Sequence, residues 1–389
     1  MNILFIAPYV PSRIRVRPFY LIKELSRRHK VTVVALGELG GRKVEGADEL
    51  PGIVEDLHVV PHSTMRGLWQ SLVSLPTPTP MCSAFCRSSA MASTISRVVK
   101  ERRFDVVHIE HLRAAHFAAK VGDIPVVFDS VDCLTSLFRQ MAVERKNPIA
   151  KLVMMEEALK LHRFEPRILE RLGRVVITTE SERAQLLELN PDIAVDVIEN
   201  GVDTEYFAPG GGCRVTKRIV FSGKMGYHPN AQAAIWFAEQ CFPRIREKHP
   251  DAEFVIVGSG PPAGVLKLAE MPGVKVTGYV DDIRVYLDSA AIAVVPMLVA
   301  VGIQNKVLEA MAMELPVIAS PIALRTLGRD CPGTVCAEGS DETVREALRL
   351  LDNPSDAQRI GHEGRAHVIG RYSWESSALA LEQIYAQVG

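Results

Sequence analysis

The stretch ENGVDTEYFAPGGGCRVTKRIVFSG, Glu199 to Gly223, divides the chain. Its first part is rich in glycine and carries a proline, without apolar periodicity, and reads as a linker. Its last six residues, RIVFSG, form an apolar run closed by glycine and read as a strand. The same alternation lies on both sides of the linker. Before it, NILFIA, KVTVVAL, VEDLHVV, FDVVHIE, PVVFD, RVVITT and AVDVIE read as strands, with segments such as RPFYLIKELSRRH long enough for crossover helices. After it, RIVFSG, AEFVIVG, VKVTG, AIAVVP and PVIAS resume the pattern. Val/Ile-rich strands joined by helices imply parallel sheets covered on both faces. The expected fold class is therefore α/β, with two doubly wound domains in tandem and a cleft between them. In such sheets ligands bind beyond the carboxyl ends of the strands. The segment TPTPMCSAFCRSSAMAS is expected to be a surface loop leading into a helix.

Composition agrees with this division. A chain of 389 residues exceeds one ordinary core. The net charge of −1 gives no global field for nucleic acid, so any anion site must be local. The opening MNILFIAPYV lacks a basic n-region and is interrupted by Pro8, which makes it a buried strand and not a signal peptide. The run AAIAVVPMLVAVGI is too short for a membrane span and is broken by Pro296. Seven cysteines show no disulfide framework and no paired zinc spacing, as expected of reduced thiols in a cytoplasmic protein.

Charged residues on otherwise apolar elements point to the chemistry. In VGIQNKVLEAMA, Gly302 permits close backbone approach, and Ile303, Gln304 and Asn305 open a helix whose free N–H groups suit an anion. Lys306 in the first turn is disfavoured by the helix dipole unless an anion compensates. Glu309, one turn on, has the chemistry to accept hydrogen bonds from vicinal sugar hydroxyls. The competing reading is an i,i+3 ion pair worth about 0.2–0.5 kcal/mol. Gly223 in VFSGKMG ends a strand and suits approach of backbone to phosphate; Lys224 beside it reads either as a ligand or as a solvated loop lysine. FDVVHIEHLRA closes a strand with His108, Glu110 and His111, where a carboxylate would steady a cationic centre or orient a hydroxyl; a helix-start glutamate is the alternative. In PYVPSRIRVRPFY, Arg13, Arg15 and Arg17 alternate, either gripping a phosphorylated acceptor or diphosphate bidentately or standing as solvated charges. VGSGPPAGV only approximates a dinucleotide fingerprint, because its glycines fall at G-x-G-x-x-x-G and prolines replace the early helix.

These stretches carry a resemblance to the retaining glycosyltransferases of family 4, which have the GT-B architecture of two facing Rossmann-like domains. ENGVDTEYF resembles the family's hinge, VFSGKMGYHPN its first donor-side loop, and NKVLEAMAMELPVIAS its nucleotide-binding helix and following strand. GIQNKVLEAMAM and YHPN are similar to a bacterial branch associated with exopolysaccharide clusters. The resemblance implies an acceptor-side domain over residues 1–208, a donor-binding domain over 209–370, and a terminal helix over 371–389 returning to the first domain. That helix has Trp374, Leu379, Leu381 and Ile384 available for an apolar face. It further implies that Glu309 binds the nucleotide ribose, that Lys306 and Lys224 neutralise the diphosphate, and that His108, Glu110 and His111 stand near the reacting sugar. Two departures stand out. Val301 occupies the place of the family's first glutamate, and YHPNAQ replaces a basic residue and glycine.

The expected function is a retaining hexosyltransferase moving sugar from a nucleotide-diphosphate sugar to a hydroxyl of a glycan or lipid-linked acceptor. Exopolysaccharide or cell-envelope glycan synthesis is the implied setting. No Asp-x-Asp motif is present and no metal or other cofactor is expected; Asp281 and Asp282 read as a helix cap. Nucleic acid is not an expected partner, while peripheral attachment at the inner face of the membrane is an expected location. Val301 motivates one alternative, a non-catalytic nucleotide-sugar-binding homologue. A sugar epimerase of the same architecture is the other.

Overall fold

The structure is a computed structural model and describes residues 1–12, 15–37, 47–144, 148–211, 214–300 and 303–388. The chain forms two units, Met1–Asn200 joined by Trp374–Gly389, and Gly201–Ser373.

Unit 1 holds strands β1 (Asn2–Ala7), β2 (Lys30–Leu36), β3 (Asp56–Val60), β4 (Val106–Glu110), β5 (Val126–Val131), β6 (Arg174–Ile177) and β7 (Ala194–Val197). They make one parallel sheet in the order β3-β2-β1-β4-β5-β6-β7. Helices α1 (Val16–Ser26), α2 (Thr64–Ser74), α3 (Met81–Phe85), α4 (Ser89–Glu101), α5 (Leu134–Glu144), α6 (Pro148–Arg171) and α7 (Glu180–Leu189) surround it. The hydroxyls of Ser63, Ser88 and Thr179 accept backbone N–H groups at the starts of α2, α4 and α7, which replaces part of the bonding those ends lack. Most residues of β1, β2, β4 and β5 are buried, as a sheet covered on both faces requires.

Unit 2 repeats the plan with β8 (Arg218–Ser222), β9 (Glu253–Val257), β10 (Val274–Val276), β11 (Ile292–Val295), β12 (Val317–Ala319) and β13 (Thr334–Cys336). Their order is β10-β9-β8-β11-β12-β13, again parallel. Helices α8 (His228–Gln240), α9 (Phe242–Lys248), α10 (Ala263–Leu266), α11 (Arg284–Asp288), α12 (Asn305–Ala312), α13 (Gly339–Asp352) and α14 (Pro354–Arg371) complete it. The final helix, α15 (Trp374–Val388), packs in unit 1, where Trp374 stacks on Tyr20 at 5.5 Å.

The unit boundaries differ from the expected 208/209 and 370/371. Residues after Asn200 already pair with unit 2: Val202 bridges Ser373, and its N–H donates to Tyr372 O at 2.7 Å. Of the expected apolar face of α15, Trp374, Leu381 and Ile384 are buried while Leu379 is exposed, and Tyr385 joins the core as well. The segment expected as a surface loop leading into a helix does run into α4, but it also carries α3, with Ser83, Ala84 and Cys86 buried, because Glu157 accepts the N–H groups of Met81 and Cys82 at 2.7 and 2.8 Å. Asp282 accepts the Arg284 N–H at 2.9 Å, at the start of α11. The six cysteines among the described residues are free thiols.

Candidate active site

In a doubly wound sheet the ligand crevice opens where the strand order reverses, outside the carboxyl ends of the central strands. In unit 2 that point lies between β8 and β11. The loop after β8 is fixed by backbone. Gly223 N–H donates to Val257 O at 3.0 Å, and the Met225 and Gly226 N–H groups donate to Ser259 O at 2.9 and 3.2 Å. Gly223 has φ +149, and a Cβ there would lie 2.9 Å from Asn230 Nδ2 and 3.3 Å from Lys306 Cε. The loop after β8 and the helix after β11 therefore meet at this glycine. Asn230 holds the loop by donating to Lys224 O at 3.0 Å, while the Lys224 side chain is exposed.

Helix α12 starts without a side-chain cap, so its first-turn N–H groups at Asn305 and Lys306 keep their donor capacity. The Lys306 ammonium donates to Gln304 Oε1 at 2.9 Å, and Gln304 is itself buried. Burial pushes the lysine down to about 8, opposed by the charge of Glu309. Burial raises Glu309, opposed by Lys306. Both residues retain partial exposure. Among the described residues no ion pair within 4 Å joins them, and the Glu309 carboxylate has no hydrogen-bond partner. A desolvated cation and an unpartnered carboxylate one helical turn apart form an arrangement that a folded protein stabilises poorly by itself. Ile303 is half-buried ahead of them; Val301 and Gly302 lie outside the described residues.

In unit 1 the order reverses between β1 and β4. Glu110, the last residue of β4, is buried; Oε1 accepts the Tyr9 hydroxyl at 2.9 Å, and Oε2 is buried without a partner. Burial, followed by the Asp129 carboxylate, lifts Glu110 to about 8, against the Tyr9 hydrogen bond and the charges of Arg17 and Arg15. Near neutral pH it is therefore largely a neutral acid with one oxygen unoccupied. His111 adopts the left-handed region at φ +68, a conformation uncommon outside glycine. Its N–H donates to Asp129 O at 2.6 Å, and its Nδ1 accepts the Arg113 N–H at 3.2 Å. That bond assigns the ring proton to Nε2. Burial, then Arg113, pushes His111 down to about 3, so the ring is a neutral donor.

Two expected site residues are placed otherwise. His108 is fully buried under the sheet end, stacked on Phe5 at 4.3 Å and bonded through Nδ1 to the Tyr385 hydroxyl at 2.8 Å. It supports the site and cannot touch a ligand. Arg17 is no phosphate grip: α1 turns it inward, where Nε donates to Asp129 at 2.8 Å and Nη1 donates to Ile198 O and Asn200 Oδ1 at 2.9 Å. Arg15 lies over the Tyr9 ring at 4.1 Å, close to Glu110 through that tyrosine. Arg13 lies outside the described residues. Tyr9, Asp129 and Arg113 were not singled out from sequence. Asp129 carried a signal, a carboxylate ending an apolar strand, while Tyr9 and the buried, unpartnered Nε of Arg113 gain meaning only from their neighbours.

Comparisons with known proteins agree with this architecture. The family model described as Glycosyltransferase Family 4 matches residues 16–206, and that described as Glycosyl transferases group 1 matches residues 216–353. The MMP alpha-(1->4)-mannosyltransferase of Mycolicibacterium hassiacum is 27% identical over 308 residues, covering 70% of this chain and 73% of the relative. Sucrose-phosphate synthase from Thermosynechococcus elongatus superposes with a TM-score of 0.68 at 15% identity, covering 100% of this chain and 98% of that one. HepE of Anabaena, solved in complex with UDP, gives a TM-score of 0.68 at 13% identity with both chains fully covered (100%). With one glycosyltransferase model on each doubly wound unit and this fold beneath them, the chain belongs to the family 4 glycosyltransferases and is a hexosyl-transferring enzyme of GT-B architecture.

Proposed function

We propose that the enzyme is a retaining transferase that takes a nucleotide-diphosphate sugar on unit 2 and delivers the sugar to a hydroxyl of a glycan or lipid-linked acceptor served by unit 1. The observation that carries the donor reading is the pair at the start of α12. Glu309 has an unpartnered carboxylate for ribose hydroxyls, and Lys306 a desolvated ammonium for the diphosphate. Gly223 lets the loop bearing Lys224 close against Lys306. The HepE neighbour was itself solved with UDP and with UDP-glucose, which makes uridine donors the first to test.

In this reading Lys306, Lys224 and the free N–H groups of α12 stabilise the departing diphosphate, without a metal. The leaving phosphate accepts the proton of the incoming hydroxyl on the same face of the sugar. Glu110, largely protonated, and His111, a neutral N–H donor, hydrogen-bond the acceptor. Exopolysaccharide or cell-envelope glycan synthesis at the cytoplasmic face of a membrane is the proposed setting.

A panel of UDP-, GDP- and ADP-sugars, each incubated with enzyme in the presence of EDTA, tests the donor reading through nucleotide release. Slow hydrolysis of one donor, with the released sugar first appearing in the donor's own anomeric configuration, is expected. Tight binding of a donor without any release would favour the non-catalytic reading that Val301 motivates. Release that EDTA abolishes would refute the metal-free step.

A further inference from the structure

Helix α2 wears its apolar side outward. Met65, Leu68, Trp69, Leu72 and Val73 recur at the spacing of one helical face, and all are exposed, Met65 at 77% and Trp69 at 66%. The helix cannot roll to bury them, because its inward side is built for close contact. A Cβ on Gly67 would come within 2.8 Å of the Phe85 ring, and the Ser71 hydroxyl donates to Met81 O at 3.2 Å. Both ends are pinned. Ser63 caps the start, and the Lys160 ammonium of α6 donates to Ser74 O and Leu75 O at 2.9 Å.

Helix α6 continues the surface. Ile149, Leu152, Met155 and Leu159 are exposed on it at helical spacing, Leu152 at 68%. The two stripes adjoin where Lys160 binds the end of α2. Monomeric soluble proteins rarely leave so extended an apolar surface uncovered.

Charge selects the occupant. Arg66 is the single charged residue of α2 and is exposed, and Lys151, Arg163 and Arg167 are exposed on α6. Of the exposed or half-exposed glutamates described on α6, Glu156 pairs with Lys160 at 2.6 Å and Glu170, near its end, accepts the Asn190 amide at 3.4 Å, so the cations outnumber the acids. A second copy docking through this face would set like charges against each other, since a two-fold interface pairs a patch with itself. Anionic headgroups complement the cations while the apolar side chains enter the interfacial layer, where tryptophan is favoured. No helix among the described residues is long and apolar enough to cross a membrane, so the contact is superficial.

We propose that the α2–α6 face seats the protein on the surface of an anionic phospholipid bilayer. The inference deepens the membrane setting proposed above and does not depend on the donor and acceptor assignments. Its test uses the full chain with sucrose-loaded vesicles of phosphatidylglycerol and phosphatidylcholine, or of phosphatidylcholine alone. Sedimentation with the anionic vesicles is expected, together with a blue shift of emission that Trp69→Phe removes, Trp374 being buried and Trp236 half-buried. Leu68→Ser/Trp69→Ser/Leu72→Ser on α2 should lower partitioning about tenfold or more without lowering the melting temperature, since these side chains leave water only on docking. Leu152→Ser/Leu159→Ser on α6 should act in the same direction. Salt at about 0.5 M should weaken binding several-fold by screening the basic rim. Failure of wild type to bind either vesicle, or equal binding by the variants, overturns the proposal. So does a lipid-free dimer by light scattering that the α2 variant converts to monomer, which would assign the face to a second copy.

Discussion

Lys306 and Glu309 bear most of the functional argument, and their charges separate under mutation. Glu309→Ala should weaken nucleoside and nucleoside diphosphate alike, by about 1.5–3 kcal/mol for each charged hydrogen bond lost. Lys306→Ala should weaken the diphosphate far more than the nucleoside. Calorimetric titration of both variants with both ligands checks this; equal diphosphate affinity for wild type and Lys306→Ala sinks the phosphate role. Glu110 ties stability to pH. Its folded pKa, about 8, stands above the ordinary carboxylate value of 4.5, so between these values the native state holds a proton that the unfolded chain has released. Stability must therefore fall as pH rises through that window, by up to about 1.4 kcal/mol per pH unit. Glu110→Gln should melt higher than wild type at pH 8 and alike at pH 4, while turnover drops and nucleotide affinity holds. A parallel pair of melting curves at the two pH values would remove the buried-acid assignment. Neither property was legible beforehand: sequence placed Glu110 at a strand end, but Asp129 and Tyr9 reach it across the sheet from distant positions.

At the scale of elements, the apolar runs were informative because parallel strands are buried on both faces and leave continuous Val/Ile signals. All twelve predicted strands are present. β13 escaped because TVC, half-buried throughout at the edge of its sheet, carries little apolar signal. Alternation misled at Arg15 and Arg17, which looked like one loop; the second already belongs to α1 and faces the sheet. The stretch VGSGPPAGV, dismissed as a cofactor fingerprint, has a packing role. Gly258 has φ +145, and a Cβ there would fall 1.8 Å from Gly223 O. Gly258→Ala should then push the Gly223–Lys224 loop off its seat, costing about 1–3 kcal/mol. That is several degrees in melting temperature, with a larger proportional loss in diphosphate affinity than in nucleoside affinity. A variant that melts and binds as wild type would show that the two loops are free to part.

Considered as a whole, the chain enters unit 2 after Asn200 and leaves it before Trp374, so unit 1 is assembled from two separated pieces. The later piece is not ornamental. Trp374, Leu381 and Tyr385 are buried in unit 1, and Tyr385 bonds the histidine beneath the site. A chain ending at Ser373 should keep unit 2 resistant to limited proteolysis while unit 1 becomes sensitive and turnover is lost. Equal resistance of both units in the shortened chain would contradict this.

The same connectivity sets an order of events on the ribosome. The main body of unit 1 emerges before unit 2, yet the helix that closes its core is translated only after all of unit 2. Unit 2 has every residue it needs while unit 1 still waits with an apolar face open. The nascent first half should therefore be the species that chaperones hold, and slowing translation ahead of Trp374 should lengthen that exposure without benefit to unit 2.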